Sequence, residues 1–132
     1  MTRLLLDTHI LLWWGLQHRN LPARFRPTLA SISQQHPALI ADVSVLELAC
    51  LAHKRVIYPQ MPLRDWLDQM TAPPLVERVP ITAAVAVEVI KIPRTLHRDP
   101  ADRIIVATAL ATGATLVTCD RQIIASRIVP TL

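Results

Sequence analysis

The sequence predicts an α/β fold, a three-layer α/β/α sandwich around a central, mostly parallel sheet of four or five strands. Three observations predict it. Short apolar runs alternate with helix-period segments along the chain, as they do when helices connect parallel strands. The apolar runs are nearly continuous rather than alternating, which suits strands covered on both faces. With 132 residues and 52% hydrophobic side chains, the chain has the size and composition of one domain, expected over 1–132.

Arg3–Asp7 (RLLLD) is an apolar run ending on a carboxylate and reads as the first buried strand. His9–Gln17 follows as a helix that is apolar almost all round, so it must be covered on more than one face. Pro22–Gln35 reads as a second helix and Ala38–Val43 (ALIADV) as a second strand. Ser44 opens the next helix, which ends with Lys54 and Arg55 where the helix dipole favours cations. Pro62–Ala72 places Leu63, Trp66, Leu67 and Met70 at i, i+3, i+4 and i+7, an amphipathic helix. Leu75–Ile81 reads as a third strand, at an edge because Pro80 lacks a donor. Ile81, Val85, Val89 and Ile92 recur at helical spacing and make Thr82–Ile92 a helix. Asp99-Pro100 is an N-cap followed by proline at the first helical position, and Gly113 closes that helix after Thr112. Ala114–Cys119 reads as a fourth strand, Asp120–Ser126 as a short helix, and Ile128–Val129 as a final edge strand.

Several function classes fall away. With Gly15 and Gly113 as the only glycines, no Gly-rich phosphate loop can be built. The five histidines and two cysteines show no zinc spacing. Cys50 and Cys119 are expected to be packing thiols of a reduced, cytoplasmic protein. Apolar runs such as Ile10–Trp14 are far shorter than the roughly 20 residues of a membrane span. The first residues meet Asp7 too early to form a signal-peptide core. The fourteen cations outnumber ten acids, and twelve of them are arginine, the residue suited to phosphate and carboxylate forks. That excess fits either a polyanionic partner or a composition bias towards arginine.

The acids are the most informative residues. Asp7 ends the first strand, Glu47 lies early in the helix after the second, Asp99 and Asp102 open a helix, and Asp120 follows the fourth strand. In a parallel sheet these places share one side, where such folds bind ligands. Each acid also has a local reading. Ser44-Val45-Leu46-Glu47 matches a capping box, and Asp7, Asp99 and Asp120 suit N-caps. Capping does not require Asp7 at the end of a buried strand, however, and converging carboxylates repel. A divalent cation resolves that repulsion, and an all-oxygen ligand set selects Mg²⁺ or Mn²⁺ over zinc.

Three stretches carry a resemblance to a family: LLLDTHILLWW at 4–14, VSVLELACLAHKRVI at 43–57, and HRDPADRIIVATALATGATLVTCDRQI at 97–123. The chain resembles the PIN-domain ribonucleases, and within them the VapC-type toxins of type II toxin–antitoxin pairs. The resemblance implies a single PIN domain that hydrolyses RNA phosphodiester bonds with Mg²⁺ or Mn²⁺ and inhibits translation, with tRNA or rRNA as substrate. It implies catalytic and metal-binding roles for Asp7, Glu47, Asp102 and Asp120, with Thr118 beside the last. Asp7 and Asp102 are expected to hold the principal metal, Glu47 to orient or deprotonate the attacking water, and Asp120 to complete the shell. Asp99 reads mainly as an N-cap. Arg103, a cation at a helix amino end, is expected to pair with a site acid or to reach the substrate phosphate. His9 and His97 read as hydrogen-bonding residues.

The resemblance further implies a VapB-like antitoxin, with an antitoxin arginine entering the carboxylates, and a homodimer. The Trp13-Trp14 helix is the candidate partner surface. Two competing readings within the family are a housekeeping nuclease and a non-catalytic RNA- or partner-binding module. An aspartyl-nucleophile phosphatase is disfavoured, because such enzymes need D-x-D where this chain has Asp7-Thr8-His9. If four acids share one site, six acids face fourteen cations over the rest of the molecule. That basic body should attract a phosphate backbone in a salt-sensitive way.

Overall fold

The computed structural model describes residues 2–96 and 99–132. Among these residues four strands form one sheet: β1 (Leu4–Leu6), β2 (Ala38–Ala41), β3 (Val76–Val79) and β4 (Thr115–Val117). The order is β3-β2-β1-β4, and every pairing is parallel. Register is set by Leu5 opposite both Leu39 and Leu116. The chain crosses from β1 to β2 on one side, while β4 pairs with β1 on the other, so β1 lies at the switch point of the sheet.

Seven helices complete the described fold: α1 (Thr8–Gly15), α2 (Arg26–Ala30), α3 (Asp42–His53), α4 (Leu63–Met70), α5 (Ala83–Lys91), α6 (Pro100–Thr112) and α7 (Arg121–Ser126). The sandwich follows from the pleat, which turns successive side chains to opposite faces. Leu5, Leu39, Ala41 and Leu116 join Val85, Ile92, Ile105, Val106 and Ile123 from α5, α6, α7 and their margins. Leu6, Ala38, Ile40 and Val117 join Ile10, Leu11, Leu48 and Trp66 from α1, α3 and α4 on the other face. Burial on both faces is why these strands are continuous apolar runs.

Most elements fall where expected, with differences at their ends. The expected helix over Pro22–Gln35 is a 3-10 turn at Ala23–Phe25 followed by a single five-residue helix, α2. Beyond it Ser31 bonds back to Thr28, and Ser33 and His36 pair in a turn, so local hydroxyl bonding replaces the helix ladder. Strand β2 stops at Ala41, and α3 begins at Asp42 rather than Ser44. Ser44 is therefore inside the helix, the capping box does not form, and Glu47 sits in the second turn. The terminal strand expected at Ile128–Val129 is replaced by a single bridge two residues later, Leu116 to Thr131. There the Leu116 N–H donates to the Pro130 carbonyl, and the Leu132 N–H to that of Leu116. Pro80, just past β3, does mark an edge. Cys50 and Cys119 are both exposed, not packed as expected.

Candidate active site and metal centre

Parallel strands bring their carboxyl ends to one edge of the sheet, and the acids collect there. Asp7, Glu47, Asp99, Asp102 and Asp120 line one pocket of about 320 Å³, together with His9, Ile10, Trp13 and Cys119. All four acids expected to act are in it, and Asp99 joins them.

Asp7 leaves β1 in extended conformation and caps α1, its Oδ1 accepting from the Thr8 N–H at 2.7 Å. Its Oδ2 accepts from the Thr118 hydroxyl at 2.7 Å. Thr118, fully buried after β4, accepts in turn from the Asp120 N–H at 3.0 Å. One hydroxyl therefore fixes the loop that presents Asp120 and orients the Asp7 carboxylate. Asp120 caps α7, with Oδ1 accepting from the Gln122 and Ile123 N–H groups at 2.9 and 3.0 Å.

Glu47 projects from α3 across α1. Its Oε1 accepts a short hydrogen bond from the Thr8 hydroxyl, which is itself 2.9 Å from the buried Ser44 hydroxyl. A hydroxyl has one proton, so Thr8 donates to the carboxylate and Ser44 donates to Thr8. Sequence reasoning passed over Thr8. The signal that could have found it is a hydroxyl at the first position of an otherwise apolar helix, directly after the candidate aspartate.

Asp99 caps α6, its Oδ1 accepting from the Ala101 N–H at 2.9 Å. It does more than cap: carboxylate oxygens of Glu47, Asp99 and Asp102 lie within 4.8 Å of one another. Asp7, expected to pair with Asp102 on the principal metal, stands in the same pocket but outside that closest trio. Arg103 turns away. Its guanidinium donates to the carbonyls of Pro93, Val89 and Ile92 at 3.0, 3.2 and 2.8 Å, at the carboxyl end of α5. These carbonyls lie at the negative end of the α5 dipole, which attracts the cation, so these three bonds go to backbone rather than to a site acid. His9 is exposed on the pocket wall, its ring 5.6 Å from that of Trp13. His97 lies outside the described residues.

Electrostatics follow from this crowding. Burial raises the Asp7 pKa above its ordinary 3.8, opposed by the Thr118 and Thr8 hydrogen bonds and increased by Asp120. Burial also raises Glu47 above its ordinary 4.5, opposed by the Thr8 hydroxyl and increased by Asp7 and Asp99. Carboxylates held together at such cost fit a divalent cation, which favours their ionised forms. The donor set is all oxygen in the trio, as a hard ion such as Mg²⁺ or Mn²⁺ requires.

A second pocket, of about 800 Å³, lies on the other side of α1 and is lined by Trp14, Tyr58, Met61, Trp66 and Met70 among others. It is larger and more apolar, but it has no cluster of acids. Among the described residues no helix is long and apolar enough to cross a membrane.

The chain is similar to known proteins in sequence and in fold. Residues 4–127 match the PIN domain. Ribonuclease VapC22 of Mycobacterium tuberculosis is 36% identical over 123 residues, covering 93% of this chain and 91% of that protein. The fold is similar to chains of VapBC-1 from nontypeable Haemophilus influenzae (TM-score 0.74, 16% identity, 98% and 96% of the two chains). It is equally similar to VapBC2 from Rickettsia felis bound to a promoter DNA fragment (TM-score 0.73, 18% identity, 98% and 96%).

Proposed function

The chain belongs to the PIN-domain family, and from that premise we propose that it is a metal-dependent endoribonuclease, the toxin of a type II toxin–antitoxin pair, which inhibits translation by cutting RNA. The observation that carries this reading is the convergence of five carboxylates on one pocket at the strand carboxyl ends.

Glu47, Asp99 and Asp102 would hold the cation, with Asp7 and Asp120 beside them in the pocket. When bound, Mg²⁺ or Mn²⁺ supplies charge neutralisation at a phosphoryl oxygen and lowers the pKa of water. Glu47 has one oxygen tied to Thr8, which leaves Oε2 to orient the attacking water and accept its proton. Asp7, held at both oxygens, is the fixed wall of the site. Arg103 is structural: it ties the end of α5 to the start of α6 and so places Asp99 and Asp102.

The partner is a VapB-like antitoxin. Trp13 lines the acidic pocket and Trp14 the apolar one, so a partner helix seated in the second can deliver an arginine to the first. Exposed Val87 and Ile90 on α5 and Leu46 on α3 suit a second copy of the chain, giving a homodimer in the cytoplasm.

The test is cleavage of a tRNA and rRNA panel by purified protein with Mg²⁺ or Mn²⁺, with 5′-end mapping and an Asp7→Asn control. New 5′ ends should appear with wild type and metal and vanish in Asp7→Asn. Full activity in that variant overturns the assignment.

A further inference from the structure

His9 and Trp13 stand one turn apart on α1 and so share a face of that helix. Both line the acidic pocket, beside Asp7, Glu47 and Asp102. Their ring centroids are 5.6 Å apart with the planes inclined at 57°, a tilted aromatic contact. Trp13 is half-buried and packs against the core that contains Leu6, Ile10 and Leu11, so its ring is anchored from behind. His9 is exposed, and the contact with Trp13 gives its ring a direction. The neighbouring Trp14 lines the apolar pocket instead. The acidic pocket thus has an aromatic wall, a feature that holding a cation does not require.

That wall meets a physical need. A phosphodiester is cut only if its phosphate enters among five carboxylates, which repel it. A flat aromatic surface adds attraction that involves no charge, because every nucleobase has a π-face to stack on it. The base must first leave its own stack, which an unpaired loop or single strand permits and a duplex resists. At about 320 Å³ the pocket is at the small end of the range for ligand sites, room for a nucleotide rather than a duplex. We propose that Trp13 and His9 form a nucleobase subsite, in which an unpaired base adjoining the cut bond stacks on the Trp13 ring and the His9 ring closes the corner. The subsite selects single-stranded or looped RNA over duplex. The proposal rests on the RNA-cleaving reading above and deepens it by naming the part of the substrate that is recognised.

The experiment measures binding of fluorescently labelled oligoadenylate to Asp7→Asn protein with Mg²⁺, as a single strand and annealed to oligouridylate, over a series of KCl concentrations. Adding Trp13→Leu, which keeps an apolar side chain against the core, should weaken single-strand binding roughly tenfold and leave duplex binding unchanged. It removes no charge, so the log–log salt slope should stay the same. Trp13→Phe should recover most of the affinity. His9→Ala, at an exposed position, should weaken single-strand binding by a smaller factor, roughly threefold, and keeps the test decisive if Trp13→Leu fails to fold. Equal losses for single strand and duplex, or unchanged single-strand binding in Trp13→Leu and His9→Ala, overturn the subsite. So does a Trp13→Leu protein that binds RNA normally but no longer co-purifies with a co-expressed antitoxin, which assigns the wall to a protein partner. Wild-type cleavage of bulk tRNA with Mg²⁺ is followed in parallel. Cleavage without the strand-selective loss removes the subsite alone, whereas absence of both binding and cleavage removes the nuclease reading with it.

Discussion

Asp7 shows how one residue serves folding and chemistry against each other. Its two oxygens are bonded to the Thr8 N–H and the Thr118 hydroxyl, yet burial still raises its pKa. Glu47 is raised as well, mainly by burial. A carboxylate whose folded pKa lies above its unfolded one holds its proton longer in the folded state. Folding stability therefore falls as pH rises from the ordinary carboxylate range through the raised folded values. The metal-free protein should lose melting temperature over that window, and saturating Mg²⁺ should restore it at neutral pH. For the same reason Asp7→Asn should melt higher than wild type at pH 7 without metal while failing to cleave RNA. Thermal melts across pH, with and without Mg²⁺, check this; a lower melting temperature for Asp7→Asn would show that its hydrogen bonds outweigh its desolvation.

At the level of elements, the caps explain how short pieces reach this edge of the sheet. Asp7, Asp99 and Asp120 each adopt an extended backbone and cap the following helix, so the same geometry that starts α1, α6 and α7 points acids into the pocket. Capping and the site are thus one arrangement rather than rival explanations. Helix α6 is also defined at its other end, where Gly113 adopts φ 69° and the chain turns into β4. Nothing lies within 4 Å of a Cβ built there, so a side chain at this position meets backbone strain alone. Gly113→Ala should cost about 1 kcal/mol, a fall in melting temperature of roughly 4 °C for a domain of this size. Unchanged melting would show that the turn relaxes. Where local hydrogen bonding competes with the helix, as at Ser31–His36, the helix ends well before the expected Gln35.

For the whole molecule, α1 is the divider between the acidic pocket and the apolar one. Gly15 lets Met70 of α4 come close, since a Cβ there would sit 2.7 Å from the Met70 Cε. Trp14 is half-buried on the apolar side. Trp14→Ala should weaken complex formation with a co-expressed antitoxin or lower the melting temperature of the free protein, by about 3 kcal/mol if the ring is mainly core. Co-purification and a thermal melt read the two outcomes, and no change in either removes Trp14 from both roles. The net charge of +4 averages two unlike regions: a pocket of five acids and a body in which arginine dominates.

The sequence by itself determined the fold class, the edge position of the third strand, and the identity of the five acids that share the pocket. It could do so because strand burial leaves a continuous apolar run, and parallel pairing sends every strand's carboxyl end the same way. Only the tertiary structure decided the sheet order, the place of Asp99 in the closest carboxylate trio, the Thr8 bond to Glu47, and the turn of Arg103 towards α5. Those facts depend on contacts between residues far apart in the chain. Neither local propensity nor spacing encodes them, because the distance between α1, α3 and α6 is set by the packing of the two cores.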